Sequence, residues 1–122
     1  MENLNQTISI HPDYILVERP PGYEVEHSEQ PTALLELSTA CNEAGCKKVL
    51  VLGPRTRVSL SAFDILELGK GIAELDLQMA IVERHDMSDD AVSLLETAAL
   101  NRGGTVRFFD NVEDAKDWLE IL

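Results

Sequence analysis

Lys47-Lys48-Val49-Leu50-Val51-Leu52-Gly53-Pro54 is the stretch that decides the fold class. Four consecutive apolar residues stand between two lysines and a Gly-Pro break, with no polar alternation. A strand of that kind is covered on both faces, as in the centre of a parallel sheet with helices on either side. The flanking segments change to helical period. Upstream, Leu34, Leu37, Cys41 and Ala44 recur at helical spacing over 31–44. Pro31 sits near the start, where a missing N–H costs nothing, and Gly45 supplies a left-handed stop. Downstream, Ser61 followed by Asp64 predicts a capped helix that turns Phe63, Leu66, Ile72 and Leu75 inward.

The same rhythm continues to the carboxy terminus. Residues 77–82 read as another buried strand. Ser88 or Asp89 caps a helix with Leu94, Leu95 and Ala98 inward, ended by Gly103-Gly104. Val106-Arg107-Phe108-Phe109 is the last strand, and Asn111 caps a helix whose stripe is Val112, Ala115, Trp118, Leu119 and Leu122. At the other end, 4–10 and 13–20 read as two short strands, with Leu4, Gln6, Ile8 and Ile10 on one face of the first. His11-Pro12-Asp13 breaks them into an antiparallel hairpin, which Pro20-Pro21-Gly22 ends. The order is ββαβαβαβα. It predicts an α/β fold with a mostly parallel five-stranded sheet, right-handed crossovers and covering helices. With no linker, repeat or low-complexity stretch, residues 1–122 are expected to form a single domain. Gly69-Lys70-Gly71 falls inside a helix, where each glycine costs roughly 1 kcal/mol relative to alanine. Such a pair is read as close packing against a neighbouring element.

Composition narrows the function classes. The apolar fraction of 44% in 122 residues suits one ordinary core. A formal net charge of −12 argues against nucleic acid, which is held mainly through Lys and Arg, and against anionic membrane surfaces. No run approaches the roughly 18 apolar residues needed to span a bilayer, so no membrane insertion is expected. Met1-Glu2-Asn3-Leu4-Asn5-Gln6 lacks the charge and apolar run of a signal peptide, which makes cytoplasm the expected compartment. Cys41 and Cys46 match neither a redox pair nor a zinc knuckle, and both read as small buried hydrophobes.

No nucleophile elbow, phosphate-binding loop or dinucleotide fingerprint occurs, so neither a catalytic set nor a cofactor is expected. The acidic faces (Asp64, Glu67, Glu74; Glu113, Asp114, Asp117, Glu120) lack calcium-loop spacing and read as solvated surface, and no metal site is expected. Of the histidines, His11 lies in a turn, His27 in an acidic loop, and His85 beside Asp86. In an open α/β sheet, ligands bind beyond the carboxyl ends of the strands. Those ends are Gly53-Pro54-Arg55-Thr56-Arg57, Glu83-Arg84-His85-Asp86 and Asp110-Asn111. Arg55, Arg57, Arg84 and His85 are the candidates for an anion-binding edge there, near the helix start at Ser61.

Two stretches resemble one family. Asn101-Arg102-Gly103-Gly104-Thr105-Val106-Arg107-Phe108-Phe109-Asp110, then Glu113-Asp114-Ala115 and Trp118-Leu119, resembles the carboxy-terminal signature of STAS/SpoIIAA-like domains. Lys48-Val49-Leu50-Val51-Leu52 followed by Leu60-Ser61-Ala62-Phe63-Asp64 is similar to the same group. The resemblance spans roughly 6–121 and implies a cytoplasmic bacterial domain used in regulation or ligand binding. Anti-sigma-factor antagonists of that group carry an Asp-Ser-Ser-Gly-type motif whose serine is phosphorylated at a helix start. The matching stretch here is Arg57-Val58-Ser59-Leu60-Ser61-Ala62-Phe63, which keeps Ser59 and Ser61 but lacks the Asp and the Gly. It fits the uncharacterised SpoIIAA-like branch, with Ser59 and Ser61 as candidate phosphorylation positions.

The function this implies is a non-enzymatic regulatory or protein-interaction module with a protein partner, and a homodimer is expected from the exposed first strand. The alternative is a binder of a small apolar, lipid-like or anionic ligand held between the sheet and the helices at 62–75 or 87–100. A small enzyme using His85 is the third reading.

Overall fold

The computed structural model describes residues 6–20, 22–26, 30–85 and 87–121, with backbone alone at 23–26, 30–31, 54–59 and 83–85. The elements are β1 (Thr7–Ile10), β2 (Ile15–Glu18), β3 (Tyr23–Glu26), α1 (Gln30–Ala44), β4 (Lys48–Ser59), α2 (Ala62–Glu74), β5 (Gln78–His85), α3 (Asp89–Leu100), β6 (Thr105–Phe109) and α4 (Val112–Leu119). The main path of the sheet runs β1-β2-β4-β5-β6, which matches the expected number of five strands. It is mixed: β1 and β2 form the antiparallel hairpin, and the other pairings are parallel.

Two features depart from the expected order. A further short strand, β3, pairs in parallel with the second half of β4. Moreover, β4 does not stop at Gly53-Pro54 but continues to Ser59. Its first half, Val49–Leu52, pairs with β2, and its second half, Thr56–Ser59, pairs with β3. Between them the register against β5 shifts, from Gly53↔Glu83 to Thr56↔His85. A residue without an N–H is tolerated where a ladder is interrupted, so Pro54 marks a change of partner and not a strand end. Consequently 53–57 and 83–85 are strand, not loops beyond strands.

The unalternating run is covered on both faces. Val49 and Val51 join Ile15, Val17, Met79 and Ile81 in a core closed by α1, α2 and α3. Leu50 turns the other way and is only 1% exposed, in a smaller core with Ala80, Ala115, Leu119 and Ile121 under α4. Gln78 Nε2 donates to the Trp118 carbonyl at 3.4 Å and helps to anchor α4. In α1, Leu37 and Cys41 are buried and Leu34 and Ala44 half-buried, as the period predicted. Leu122 of the predicted α4 stripe lies outside the described residues.

Helix α2 buries Ile72 as expected, and Leu75 packs against the same core, but the amino-terminal turns face another way from the expectation. Its buried residues are Ile65, Gly69, Ile72 and Ala73, whereas Phe63 is 66% exposed and Leu66 45%. The inward row at 65, 69, 72 and 73 follows the helical repeat, but a glycine occupies one of its places, so hydrophobicity alone points to the wrong phase. Gly69 is there because α3 lies against it: a Cβ would come 2.7 Å from Ala98 Cβ and 3.0 Å from Ala99 N. A Cβ on Gly71 would meet Leu34 Cδ1 of α1 at 2.6 Å. The close-packing reading of this pair therefore holds on both sides of α2.

The cysteines differ from each other. Cys41 is buried, and that burial pushes its thiol above the ordinary range against the opposing pull of Lys47. Cys46 is only half-buried. Its Sγ donates to the Asp13 carbonyl at 3.4 Å and accepts from the Lys48 N–H at 3.4 Å, tying the hairpin turn to the start of β4.

Candidate functional site

The carboxyl end of β4 leads to the start of α2, and Ser61 is the residue that opens it. With φ −75° and ψ 169°, Ser61 is the extended N-cap of α2. Its Oγ accepts from the Asp64 N–H at 3.2 Å, and its own N–H donates to Asp64 Oδ2 at 3.0 Å. This reciprocal box satisfies two backbone donors that the first turn of a helix otherwise leaves unpaired. Ser61 is exposed, and the apolar pair Phe63 and Leu66, one helical turn apart, lies beside it in the open. Sequence periodicity placed those two side chains in the core.

We expect Ser61→Ala to lower stability by about 1 kcal/mol and Ser61→Asp to retain most of it, as an aspartate still caps. Urea denaturation measures both. A change in Ser61→Ala of a few tenths of a kcal/mol or less would mean that the box contributes little.

The other candidates fall on the same two strands. Arg55, Arg57 and Ser59 belong to β4, and Arg84 and His85 to β5. The register sets Thr56 opposite His85 and Arg57 beside position Glu24 of β3. Backbone pairing thus brings the four positions of the expected anion-binding edge onto neighbouring strand segments. Their side chains, that of Ser59, and the whole of Asp86 and His27 lie outside the described residues. The third strand end is a helix cap: Asn111 Oδ1 accepts from the Asp114 N–H at 2.8 Å. His11 stacks on Tyr14 with ring centroids 4.7 Å apart, and its Nε2 lies 3.3 Å from Ser9 Oγ, which makes it part of the hairpin turn. Among the described residues no group of three or more His, Cys, Asp or Glu is placed to hold a metal ion, and no helix is long and apolar enough to cross a membrane.

A mixed sheet led by a hairpin, with three helices on one face and one on the other, defines the class: this chain is an α/β domain with a SpoIIAA-like fold. Two solved structures carry that statement. An uncharacterised protein of the DUF3478 family with a SpoIIAA-like fold, from Shewanella loihica PV-4, is 25% identical with a TM-score of 0.54, over 98% of each chain. The anti-sigma factor antagonist SpoIIAA in its unphosphorylated form is 9% identical with a TM-score of 0.56, over 96% of this chain and 98% of its own. The second likeness is one of fold alone. No protein-family model matches the chain, and no curated protein does.

Proposed function

We propose that this protein is a non-enzymatic regulatory module that acts by binding another protein through the amino-terminal turns of α2. The observation that carries this reading is the exposed Phe63–Leu66 pair beside the exposed cap at Ser61. Burying two such side chains against a partner gives apolar area that the fold itself does not use. The acidic chain, at −12, favours a partner whose rim is basic. The likeness to an anti-sigma factor antagonist supports the same kind of role.

Ser61, or Ser59 at the end of β4, is the position at which phosphorylation would switch such binding. A phosphate adds close to two negative charges next to Asp64 and competes with the capping box, while the helix amino terminus favours it. Arg55, Arg57, Arg84 and His85 are proposed to recognise an anionic group on the partner or the modified serine. A cytoplasmic bacterial setting, a single-domain organisation and a homodimer belong to the same reading.

Site-specific photocrosslinking in the native cell tests it. A photoreactive phenylalanine analogue at position 63 is expected to yield one discrete adduct with a different protein, lost in Leu66→Glu. The same analogue at Leu35, exposed on α1, should yield none. Equal adducts from positions 63 and 35, or none from 63, would overturn the docking role of α2.

A further inference from the structure

β6 ends the main path of the sheet: β5 pairs with one side of it, and among the described residues no strand pairs with the other. The Thr105 N–H donates to the Leu77 carbonyl at 3.1 Å, which fixes the phase of the ladder. Successive residues of a strand turn their N–H and C=O to opposite sides, so those of Val106 point away from β5. An open groove of about 470 Å³ lies there, lined by β6 together with α3 and Trp118 of α4. Helices α3 and α4 cover opposite faces of the sheet, so one groove touches both only around the open edge. Val106 is at its floor and only 5% exposed, which leaves the outward backbone little water to bond. Leu100 on the α3 wall is 64% exposed, with Glu96 one turn before it, and Trp118 on the α4 wall is half-buried. Arg107, on the α4 side, lies over the Phe109 ring at 5.7 Å from its centroid.

We propose that this edge is a second interaction surface, which takes an extended segment of another protein, alternating apolar and basic residues, as an added strand beside β6. The backbone sets the shape of the occupant. An outward N–H and C=O on one residue are both met by a strand about 4.8 Å away, and a helix offers no such pair. Alternation sets its sequence, because successive side chains of an added strand point in turn to the α3 wall and the α4 wall. Trp118 favours an apolar residue on its side. On the other side a lysine or arginine lays its stem over Leu100 and brings its charge to Glu96. Charge also decides against a second copy of this chain. Both copies would carry −12, and two-fold antiparallel pairing keeps like faces together, which turns Glu96 towards its own counterpart. The surface shares no residue with the amino-terminal turns of α2, so it stands or falls independently of Phe63 and Leu66.

The probe is the peptide acetyl-Val-Lys-Val-Lys-Val-Lys-Val-amide, titrated into the full chain at physiological ionic strength and followed by amide NMR. Shifts should saturate at the amides of 105–107, and exchange of the Val106 N–H should slow about ten-fold or more at saturation. An analogue with glutamate in place of each lysine should bind at least about five-fold more weakly, and Glu96→Lys should remove most of that gap. An analogue N-methylated at every residue has no N–H to offer the edge and should not bind. Leu100→Ser, on the exposed face of α3, should weaken the lysine peptide about five-fold, whereas Leu66→Glu should leave it unchanged. Unmoved 105–107 amides at millimolar peptide, or equal binding of the N-methylated analogue, would overturn strand addition. Equal binding of the lysine and glutamate peptides would overturn the basic character of the partner. Protection of Val106 that rises with protein concentration in the absence of peptide would make a second copy the occupant and overturn the assignment to another protein.

Discussion

Leu50→Ala is expected to lower the unfolding free energy by about 3 kcal/mol and to release α4 before the rest of the chain unfolds. Leu50 is one of three large aliphatic side chains in the smaller core, where it packs with Ala80, Ala115, Leu119 and Ile121. An eight-residue helix such as α4 does not persist in water by its own propensity, so tertiary packing must hold it. Truncating Leu50 removes the transfer term and leaves a void that two alanines cannot close. Urea denaturation should therefore show a lower midpoint, and amide exchange at 112–119 should accelerate more than at 62–74. Uniform acceleration across both helices would show that the two faces of the sheet unfold as one unit.

The second large effect concerns the glycines of α2, and its value lies in the contrast. Gly69→Ala should destabilise by about 2 kcal/mol, although alanine favours a helix by about 1 kcal/mol. The added methyl meets Ala98 Cβ and the backbone at Ala99, neither of which can rotate away. Gly71→Ala meets only Leu34 Cδ1, the end of a side chain with other rotamers. Its net effect should lie within about 0.5 kcal/mol of zero, or be stabilising. A double-mutant cycle between Gly69→Ala and Ala98→Gly should return a coupling of about 1 kcal/mol, since the smaller partner makes room. Equal effects of the two alanines would mean that α2 and α3 shift apart as readily as Leu34 turns.

The contrast between local and long-range signals explains what the sequence reveals. Helix starts are local chemistry: Ser61, Ser88 and Asn111 each accept a hydrogen bond from a backbone N–H three residues on, and each is legible as a cap. The run Val49-Leu50-Val51-Leu52 is legible for a similar reason, because both its faces must be dry. What stayed hidden depends on partners far away in the chain. Gly53-Pro54 has the local signature of a stop, but the strand persists because β3 takes over where β2 ends. β3 itself is short and follows Pro20-Pro21-Gly22, so Tyr23-Glu24-Val25-Glu26 gives only two apolar positions of alternation. The apolar pattern points Phe63 and Leu66 inward because Gly69 holds one of the true inward places and contributes nothing to that pattern.

The candidate site divides in the same way. Ser61 was legible, and backbone register joins the segments carrying Arg55, Arg57, Arg84 and His85. The open edge of β6 had no local signature. Val106-Arg107-Phe108-Phe109 reads as a strand, but whether a strand lies outermost depends on the order of the whole sheet.

The division of the helices, with α1, α2 and α3 over one face of β4 and α4 over the other, also bears on how the chain is made. Synthesis proceeds from the amino end, so β4 and β5 leave the ribosome well before α4, the last of the described elements. During that interval Leu50 and Ala80 have no cover, even once the larger core has closed. The nascent domain then presents an apolar strip along its two central strands, the kind of surface that chaperones hold and that neighbouring chains can capture. The final turns of helix thus act as the latch on a sheet otherwise already assembled.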